Sequence, residues 1–433
     1  MMKILKLMVL LMMITFLLIS RSYAQKFYTP IKTVLKKQSN SWQFIRNGSP
    51  YFVKGAGGSG HLKELVACGG NSIRTWGSED GIQVLDSAEK YGLTVLMGLE
   101  VTAERHGFNY DDSAAVKRQL NQMKAAVLKL KDHPALLAWG IGNELNLDYK
   151  NPKVWNAVND IAVMIHELDP NHPVTTVLAG INKPEVDHIK AVCKEIDFLG
   201  VNTYGGLASL PKEIIETGWD GPYMVTEWGP TGHWECLQTP WKSSIEETSS
   251  EKAAVYKTRY EYGIEKDKAK CLGSYVFLWG QKQERTPTWY GLFTENGEES
   301  EVINVIQYLW TGSWPANKAP HIYSLQLAKH KANDNIYLKP GVALPVSAVV
   351  TDPEKDKLTY RWEILAEPEK LSQGGDHEEK SIPIKNAFSN NGNNGTVTML
   401  TPTKEGAYRV FVYATDGHNN VATANIPFYI KKD

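Results

Sequence analysis

Short apolar runs alternate with amphipathic helical patterns between residues 51 and 312. This alternation is typical of βα units and a parallel sheet. Eight candidate strands can be counted, at residues 51–57, 72–76, 94–101, 136–144, 174–179, 198–204, 223–228 and 274–280. Eight such units close into a barrel whose active site lies on the loops after the carboxyl ends of the strands. We therefore predict an α/β fold with a (β/α)₈ TIM barrel.

The helices between these strands carry their own stop signals. Residues 79–91 are followed by Gly92, residues 113–131 by His133-Pro134, and residues 151–168 by Asp169-Pro170. Glycine at a helix end and proline just beyond it are expected terminators. A doubly wound open sheet is the rival fold, and it would have a phosphate-binding glycine loop after the first strand. The glycine-rich run at 55–60 lacks the lysine of such a loop, so we interpret it as a tight turn.

The pattern changes beyond a boundary near residue 312. Residues 336–350, 358–364, 395–400 and 408–414 alternate like strands between turn residues. The segment 408–430 predicts a hairpin around Asp416-Gly417 and resembles the last hairpin of immunoglobulin-like modules of the polycystic-kidney-disease type. We predict a barrel domain at 25–312, a linker at 313–320 and an immunoglobulin-like β-sandwich of about seven strands at 321–433. Gly374, Gly375 and residues 390–394 are predicted to be mobile loops. Deleting residues 312–433 is expected to leave the chemistry intact, unless the sandwich braces the barrel.

The first 24 residues predict a signal peptide. Lys3 and Lys6 precede an apolar stretch at 7–20, and Ser22-Tyr23-Ala24 forms a small-residue cleavage signal. The apolar run is short for a membrane span, so no membrane attachment is expected after cleavage. We expect a secreted or periplasmic protein.

The composition of the chain limits the kinds of binding partner that we expect. Its 433 residues include 47 Lys and Arg against 48 Asp and Glu, a formal net charge of −1. Nucleic-acid binders usually carry a basic face, so a nucleic-acid partner is not expected. A neutral polar ligand with apolar faces, such as a sugar, is one reason to keep 13 tryptophans, although large barrels also bury tryptophan. We expect a monomer that acts on a polysaccharide or oligosaccharide.

The four cysteines, Cys68, Cys193, Cys236 and Cys271, show no metal-binding spacing. Cys68 and Cys193 fall in helical patterns and are expected to pack as small apolar residues. A disulfide between Cys236 and Cys271 stays open as an alternative, because export permits disulfides.

Two glutamates end candidate strands. Asn143-Glu144 ends the fourth, and Glu227 lies near the end of the seventh. Glycoside hydrolysis needs two carboxyl groups that face each other, one protonated for the leaving oxygen and one ionised. A lone glutamate at a strand end is more often structural, but two at these strands favour catalysis.

This pattern resembles the clan A glycoside hydrolases across residues 52–310. The resemblance implies that Glu144 is the acid/base, that Glu227 is the nucleophile and that the anomeric configuration is retained. Asn71-Ser72-Ile73-Arg74 looks like the clan's N-x-I-R segment, with Arg74 holding Glu227 ionised. By the same resemblance, Asn143 bonds the sugar's 2-hydroxyl, Tyr204 bonds the nucleophile and Trp279 forms the floor under the reacting sugar.

Further side chains are placed above the barrel without a firm role. His106, Trp228, Trp234, Trp241, Gln281 and Trp289 either stack on sugar or cap the domain. His106 is also the sole candidate for a histidine that some clan members carry after strand three or six. Glu100 ends the third strand and is expected to shape the site. No metal-ligand constellation appears, and neither a cofactor nor a metal is expected.

The architecture, a compact barrel with a C-terminal sandwich, resembles glycoside hydrolase family 158, endo-β-1,3-glucanases that act on laminarin. Families 2 and 5 of the clan, with β-mannan or β-glucan substrates, stay open. A transglycosylase would share the same intermediate. A non-catalytic glycan-binding protein is the alternative from another class, and the presence of Glu144, Glu227, Arg74 and Tyr204 argues against it.

Overall fold

The computed structural model describes residues 28–389 and 394–432. The predicted signal peptide and most of the predicted mobile segment 390–394 lie outside the described residues.

Eight parallel strands form a closed barrel, as predicted. The strands, β4 to β11, are Val53–Gly57, Ser72–Arg74, Thr94–Leu99, Leu136–Ile141, Val174–Ala179, Phe198–Asn202, Tyr223–Trp228 and Cys271–Val276. Each pairs with the next along the chain, and β11 pairs with β4 to complete the circle. The helices, α1 to α8, are Leu62–Ala67, Gly81–Lys90, Ser113–Leu130, Lys153–Leu168, Lys183–Val192, Leu210–Glu216, Ser249–Gly263 and Glu301–Thr311. Every predicted barrel strand is therefore present.

Several barrel strands end earlier than the sequence predicts. Trp76, Glu144 and Tyr204 lie just beyond their strands, where the chain leaves the hydrogen-bond ladder and turns over the barrel mouth. Glu144 has a positive φ of 52°, in the left-handed region that non-glycine residues rarely adopt. Its backbone N–H donates to the carbonyl of Val177 at 2.9 Å, which helps to hold this turn. Apolar periodicity locates a strand but not the residue at which its hydrogen-bond ladder ends, so the predicted strands run past these turns.

A three-stranded antiparallel sheet closes the other end of the barrel. It comprises β1 (Thr33–Gln38), β2 (Ser41–Arg46) and β3 (Ser49–Tyr51). Phe44 packs edge-on against Phe198, and Arg46 donates to the carbonyl of Leu136 at 2.9 Å. Tyr51, which the sequence places in the first barrel strand, belongs to this sheet instead. The amino-terminal end of the barrel is thus sealed away from the site.

Two sheets follow the barrel and pack as a sandwich. Their strands are β13 (His321–Leu327), β14 (Ile336–Leu338), β15 (Ala343–Thr351), β16 (Thr359–Ala366), β17 (Phe388–Ser389), β18 (Thr396–Leu400), β19 (Gly406–Thr415) and β20 (Asn420–Ile430). One sheet has the order β13-β15-β18-β17, and the other joins β20, β19 and β16, with β14 on β20. The predicted run 336–350 is two strands, because Pro340-Gly341 interrupts it with a turn, and Gly341 has a φ of 67°.

The sandwich is joined to the barrel by backbone pairing and by buried polar contacts. The short strand β12 (Glu299–Ser300), which precedes α8, pairs in parallel with β20. Arg409 is buried and donates to the carbonyl of Ser244 and to Asn425. These contacts favour the alternative in which the sandwich braces the barrel, and they argue against a freely removable domain.

The four cysteines are free. Cys68 and Cys193 are buried in the barrel core, as expected for small apolar side chains. The alternative of a Cys236–Cys271 disulfide is wrong. Cys271 begins the eighth strand at the sealed end of the barrel, whereas Cys236 lies on the loop after the seventh strand, at the opposite end.

Across the described residues, none of the helices combines the length and the apolar character that crossing a bilayer would require.

Candidate active site

The two glutamates lie at the carboxyl ends of opposite parts of the barrel. Glu227 is the fifth residue of the seventh strand and is 6% exposed. Glu144 follows the fourth strand and is half-buried. The sequence-predicted residues Arg74, Asn143 and Tyr204 form one hydrogen-bonded group around Glu227, and Asn202 links this group to Glu144.

The carboxylate of Glu227 is held by three donors. Arg74 Nη1 donates to Oε1 at 2.7 Å, Trp76 Nε1 donates to the same oxygen at 2.8 Å, and the Tyr204 hydroxyl donates to Oε2 at 3.0 Å. Arg74 is 2% exposed, so this ion pair is shielded from water. A buried cation and hydrogen bonds to both oxygens hold this carboxylate in one orientation. The predicted Arg74–Glu227 and Tyr204–Glu227 contacts are both present.

Asn143 and Asn202 extend this group from Glu227 to Glu144. Arg74 Nη2 donates to Asn143 Oδ1 at 2.6 Å, and Asn202 Nδ2 reaches the same oxygen at 3.2 Å. Asn202 Nδ2 also donates to Glu144 Oε1 at 2.8 Å. Because Arg74 can only donate, Asn143 must present its carbonyl oxygen to it, which leaves the Asn143 amide group as the donor available to a ligand.

Glu144 has the opposite electrostatic environment. Burial, and second the negative charge of Glu227, raise its pKa to about 7. The hydrogen bond from Asn202 and the positive charges of Arg74 and Arg105 act against this rise. A carboxyl group with a pKa near neutrality is able to hold a proton and to give it up. The site therefore contains one carboxylate held by three donors and one carboxyl group poised to transfer a proton.

Aromatic side chains line the mouth around Tyr204. Tyr204 packs against Trp234, Phe277 and Tyr290 in edge-on geometry. Burial, and then the charge of Glu227, raise the pKa of Tyr204 well above its ordinary value, so its hydroxyl remains a donor. Trp234 is 57% exposed at this cluster, and an exposed indole face is a surface on which a sugar ring can stack.

Two predicted sugar contacts are corrected by the structure. Trp279 is 1% exposed, stacks on Trp310 and donates to the carbonyl of His61. Trp228 is fully buried against Tyr256 and Tyr260. Both indoles point away from the mouth into the packing between the barrel and its helices, so neither presents a face to a sugar.

The remaining predicted residues lie at the rim of the barrel mouth, at contacts between the two domains, or buried beneath the loops. His106 lies at the rim and faces Asp376 of the sandwich at 3.3 Å. Trp241 packs against Tyr337 and Tyr429 of the sandwich, not above the barrel. Trp289 is buried and donates to the carbonyl of Thr231, which agrees with a capping role.

Gln281 and Glu100 complete the predicted set. The Gln281 amide is turned towards the carbonyl of Pro287 at 3.4 Å, within its own loop. Glu100 is exposed beside Gly77, and its contacts do not include the two central glutamates.

Sequence reasoning missed Trp76 and Asn202. Both lie in the segments that carry the clan resemblance, Trp76 two residues after Arg74 of strand two and Asn202 at the end of strand six. The available signal for each was a side chain with an N–H donor, the indole of Trp76 and the amide of Asn202, at or just after the end of a barrel strand. A third omission, the sandwich segment that reaches Arg105 and His106, had no such signal.

Two groups of side chains among the described residues have metal-ligand spacing. They are Asp86 with Glu89 and His133, and Asp352 with Asp356 and Asp416. Neither group includes a residue of the site described above, so the chemistry there is derived from side chains alone.

Comparison with known proteins supports this description. Residues 71–242 match the family described as glycosyl hydrolases family 2, TIM barrel domain. The β-glucuronidase of Chlorocebus aethiops is 24% identical over 217 residues, which is 43% of this chain and 31% of that protein. The chain thus spans about a third of the length of this curated relative.

Solved structures show the same fold. The Faecalibacterium prausnitzii β-glucuronidase aligns with a TM-score of 0.51 at 17% identity, covering 65% of this chain and 52% of that one. Bacteroides uniformis β-glucuronidase 2, covalently bound to cyclophellitol-6-carboxylate aziridine, aligns with a TM-score of 0.51 at 16% identity, covering 92% and 48%. These likenesses show the TIM-barrel fold, and residues 71–242 resemble the TIM-barrel domain of glycosyl hydrolases family 2.

Proposed function

We propose that the protein is a retaining β-glycosidase in which Glu227 is the nucleophile and Glu144 is the acid/base. The single observation that carries the proposal is the contrast between the two carboxyl groups. Glu227 is bonded by Arg74, Trp76 and Tyr204, whereas burial and the charge of Glu227 raise the pKa of Glu144 to about 7.

In the first step the Glu227 carboxylate attacks the anomeric carbon, and the bond from that carbon to the leaving oxygen breaks. Glu144 transfers its proton to the departing oxygen, so the leaving group departs as a neutral alcohol. The product is a glycosyl ester on Glu227 and an ionised Glu144.

In the second step Glu144 removes a proton from water, which attacks the anomeric carbon and releases Glu227. Esterification removes the negative charge of Glu227, which is the second contribution to the raised pKa of Glu144. The pKa of Glu144 therefore falls in the intermediate, just when the residue must remain ionised until it accepts a proton. A sugar hydroxyl in place of this water would make the same intermediate a transglycosylating one.

Asn143 is suited to the sugar's 2-hydroxyl. Its carbonyl oxygen is occupied by Arg74 and Asn202, so its amide hydrogens face the ligand. A hydrogen bond made there strengthens as positive charge grows on the ring and stabilises the transition state more than the ground state.

The charges around the mouth favour a neutral sugar. Arg74 is paired with Glu227, Arg105 with Asp376, Lys282 with Glu284 and Arg285 with Glu378. These four cations are already paired with protein carboxylates, so they are less available to the carboxylate of a uronic acid. A neutral β-glucan is therefore the proposed substrate, and endo-hydrolysis of a β-1,3-glucan is the first activity to measure.

A β-glucuronidase is the second candidate, and it is favoured by the names of the relatives with similar barrels. A single comparison separates the two. A neutral-sugar enzyme prefers 4-nitrophenyl β-glucoside over the β-glucuronide, and a glucuronidase shows the reverse preference. Laminarin, mixed-linkage glucan, mannan and xylan then identify the linkage, and product sizes distinguish endo from exo action.

Two variants test the assignment of the glutamates. Glu227→Ala should abolish hydrolysis of activated aryl glycosides, and azide should restore a reaction that gives a glycosyl azide of inverted configuration. Glu144→Ala should retain much of its rate on substrates with good leaving groups and lose it on those with poor ones. Equal losses on both substrates would reject Glu144 as the acid. Glu100→Ala, at an exposed carboxylate near the mouth, is the matched control.

We also propose that the protein is exported and acts as a monomer. Fractionation of expressing cells and light scattering of the purified protein test these two points.

A further inference from the structure

A segment of the sandwich crosses the mouth of the barrel. The bridging loop, residues 371–378, lies between strands β16 and β17. Residues in this loop contact barrel loops after the third, fourth and eighth strands. A single loop of the second domain therefore connects two distant parts of the barrel rim.

The first anchor is on the loops after strands three and four. Arg105 bonds the carboxylate of Asp376 at 3.1 Å and lies 3.4 Å from the carbonyl of Gly374. Gln373 donates to Asp148 at 2.5 Å. Gly374 has a φ of 58°, and a β-carbon there would meet Leu147 at 2.8 Å. A side chain here would be strained by the left-handed φ and would displace the ends of the Leu147 and Arg105 side chains, so glycine suits this position.

The second anchor is on the loop after strand eight. Lys282 donates to the carbonyl of Gly375 at 2.6 Å. Glu378 is buried and accepts from the Gln283 side chain at 3.1 Å and from the Arg285 backbone at 2.8 Å. The buried Glu378 carboxylate, bonded by Gln283 and Arg285, holds the loop against the barrel at this point. The bridging loop is therefore fixed at both ends.

The barrel order shows what lies beneath this loop. Strands one and two stand between strand eight and strand three, and the loops that follow them, residues 58–61 and 75–80, are short. Arg74 and Trp76, which bond the nucleophile, belong to this side. The long loop 229–248 after strand seven, with the exposed Trp234, stands on another side of the mouth. On the side where these two loops are short, the bridging loop forms the raised edge of the barrel mouth.

We propose that the bridging loop is a wall of the substrate cleft and contacts sugar units beyond the one that reacts, so that the sandwich takes part in substrate selection. The inference rests on the proposed glycosidase function. Gln373, Asp376 and His377 are exposed on the loop, and their amide, carboxylate and imidazole groups are suited to sugar hydroxyls. The influence of Arg105 on Glu144 agrees with the position of the loop close to the acid/base.

Two variants test the wall. In one, residues 373–377 are replaced by two glycines; in the other, His377→Ala removes a single exposed side chain. Glu379→Ala, an exposed neighbour outside the loop, is the control. The substrates are 4-nitrophenyl β-glucoside, which has one sugar, and a β-1,3-linked glucose pentasaccharide.

The shortened loop should lower kcat/KM for the pentasaccharide at least tenfold, with less than a threefold change on the aryl glucoside. His377→Ala should lower it about threefold in the same selective way. Equal changes on both substrates, or no change on either, would overturn the proposal, provided that thermal unfolding of each variant matches the parent.

A binding measurement separates this inference from the proposed catalytic function. Calorimetric titration of Glu227→Gln protein with the pentasaccharide should show a tenfold weaker Kd when the loop is shortened. Unchanged affinity in the shortened form rejects the wall. A wild-type protein that binds the pentasaccharide through this loop but hydrolyses no glycoside rejects the catalytic assignment and leaves the wall supported.

Discussion

Asn202 donates an amide hydrogen to Oε1 of Glu144 at 2.8 Å, and this bond opposes the effect of burial on the carboxyl group. The same side-chain amide donates to Asn143 Oδ1 at 3.2 Å, and its oxygen, Asn202 Oδ1, accepts from the Thr226 hydroxyl at 2.8 Å. Asn202 is thus held on both sides of its amide and presents its hydrogen to the acid/base in one orientation. The proton affinity of Glu144 is adjusted by this neighbour.

Removing the Asn202 amide should raise the pKa of Glu144. The bond stabilises the ionised form, so Asn202→Ala should move the alkaline limb of kcat/KM to higher pH from its expected position near pH 7. The measurement is a pH–rate profile on an aryl glycoside. Thr226→Val removes a bond to Asn202 but keeps the amide, and should shift the limb less. An unmoved limb in Asn202→Ala would contradict the role given to this contact.

The raised pKa of Glu144 predicts a pH-dependent stability. The folded protein holds this proton more tightly than the unfolded chain, whose glutamate has the ordinary value of 4.5. The contribution to stability is therefore full below about pH 4.5 and is lost as the pH rises through 7. Ionised Glu144 then costs at most roughly 3 kcal/mol.

Glu144→Gln should consequently stabilise the protein relative to the parent at pH 8 and have little effect at pH 4.5. Thermal unfolding at both pH values measures this difference. Glu100→Gln, at an exposed position, should show no such dependence. A Glu144→Gln protein that gains no stability at pH 8 would contradict the raised pKa.

Trp76 should matter for the chemical step through a single hydrogen bond. Trp76→Phe keeps an aromatic ring beside Arg74 but removes the donor to Glu227 Oε1. The indole N–H helps to hold the attacking carboxylate in position, and misplacing it should lower kcat by up to about 100-fold. Steady-state kinetics on an aryl glycoside measure it, with Trp314→Phe as a control outside the site. A fall confined to KM would show that Trp76 acts in binding alone.

Glu246 should be a structural link between the domains. It is buried, bonds Lys252 Nζ at 2.6 Å and accepts from Asn425 of the sandwich at 2.6 Å. Burial acts to raise its pKa, but Lys252 and the hydrogen bonds outweigh it and hold the pKa below the ordinary value. The charged form is thus the one that the fold stabilises.

Glu246→Gln should lower the free energy of unfolding by about 3–5 kcal/mol, because Lys252 is left as an uncompensated buried charge. Chemical denaturation at pH 7 measures it. Asn425→Ala removes a hydrogen bond to the same carboxylate and one from Arg409 but leaves the ion pair, and should cost about 1–3 kcal/mol. Equal losses in the two variants would show that the ion pair itself contributes little.

The barrel and its two glutamates were predictable because their signals are local. Apolar runs and helix terminators occur within a few residues of one another, and Glu144 and Glu227 follow two of those runs directly. Arg74 and Tyr204 were placed through a family resemblance carried by short segments, and the structure brings both to Glu227.

Trp279 and Trp228 show where the local pattern misleads. A tryptophan near a strand end has the same sequence signature whether its indole turns to the mouth or into the core. Their burial depends on Trp310, Tyr256 and Tyr260, which belong to helices elsewhere in the chain. Side-chain direction beyond a strand is set by packing partners, and these cannot be identified from one segment.

The sequence by itself determined the eight-stranded barrel, the following sheets and the pair of carboxylates, because hydrophobic period and residue type are properties of neighbouring positions. Only the tertiary structure decided how Glu144 and Glu227 differ, since burial and charge arise where separate strands meet. It also decided that residues 371–378 lie on the barrel mouth. Asp376 reaches Arg105 across 271 positions of the chain, and no periodicity within either segment encodes that contact.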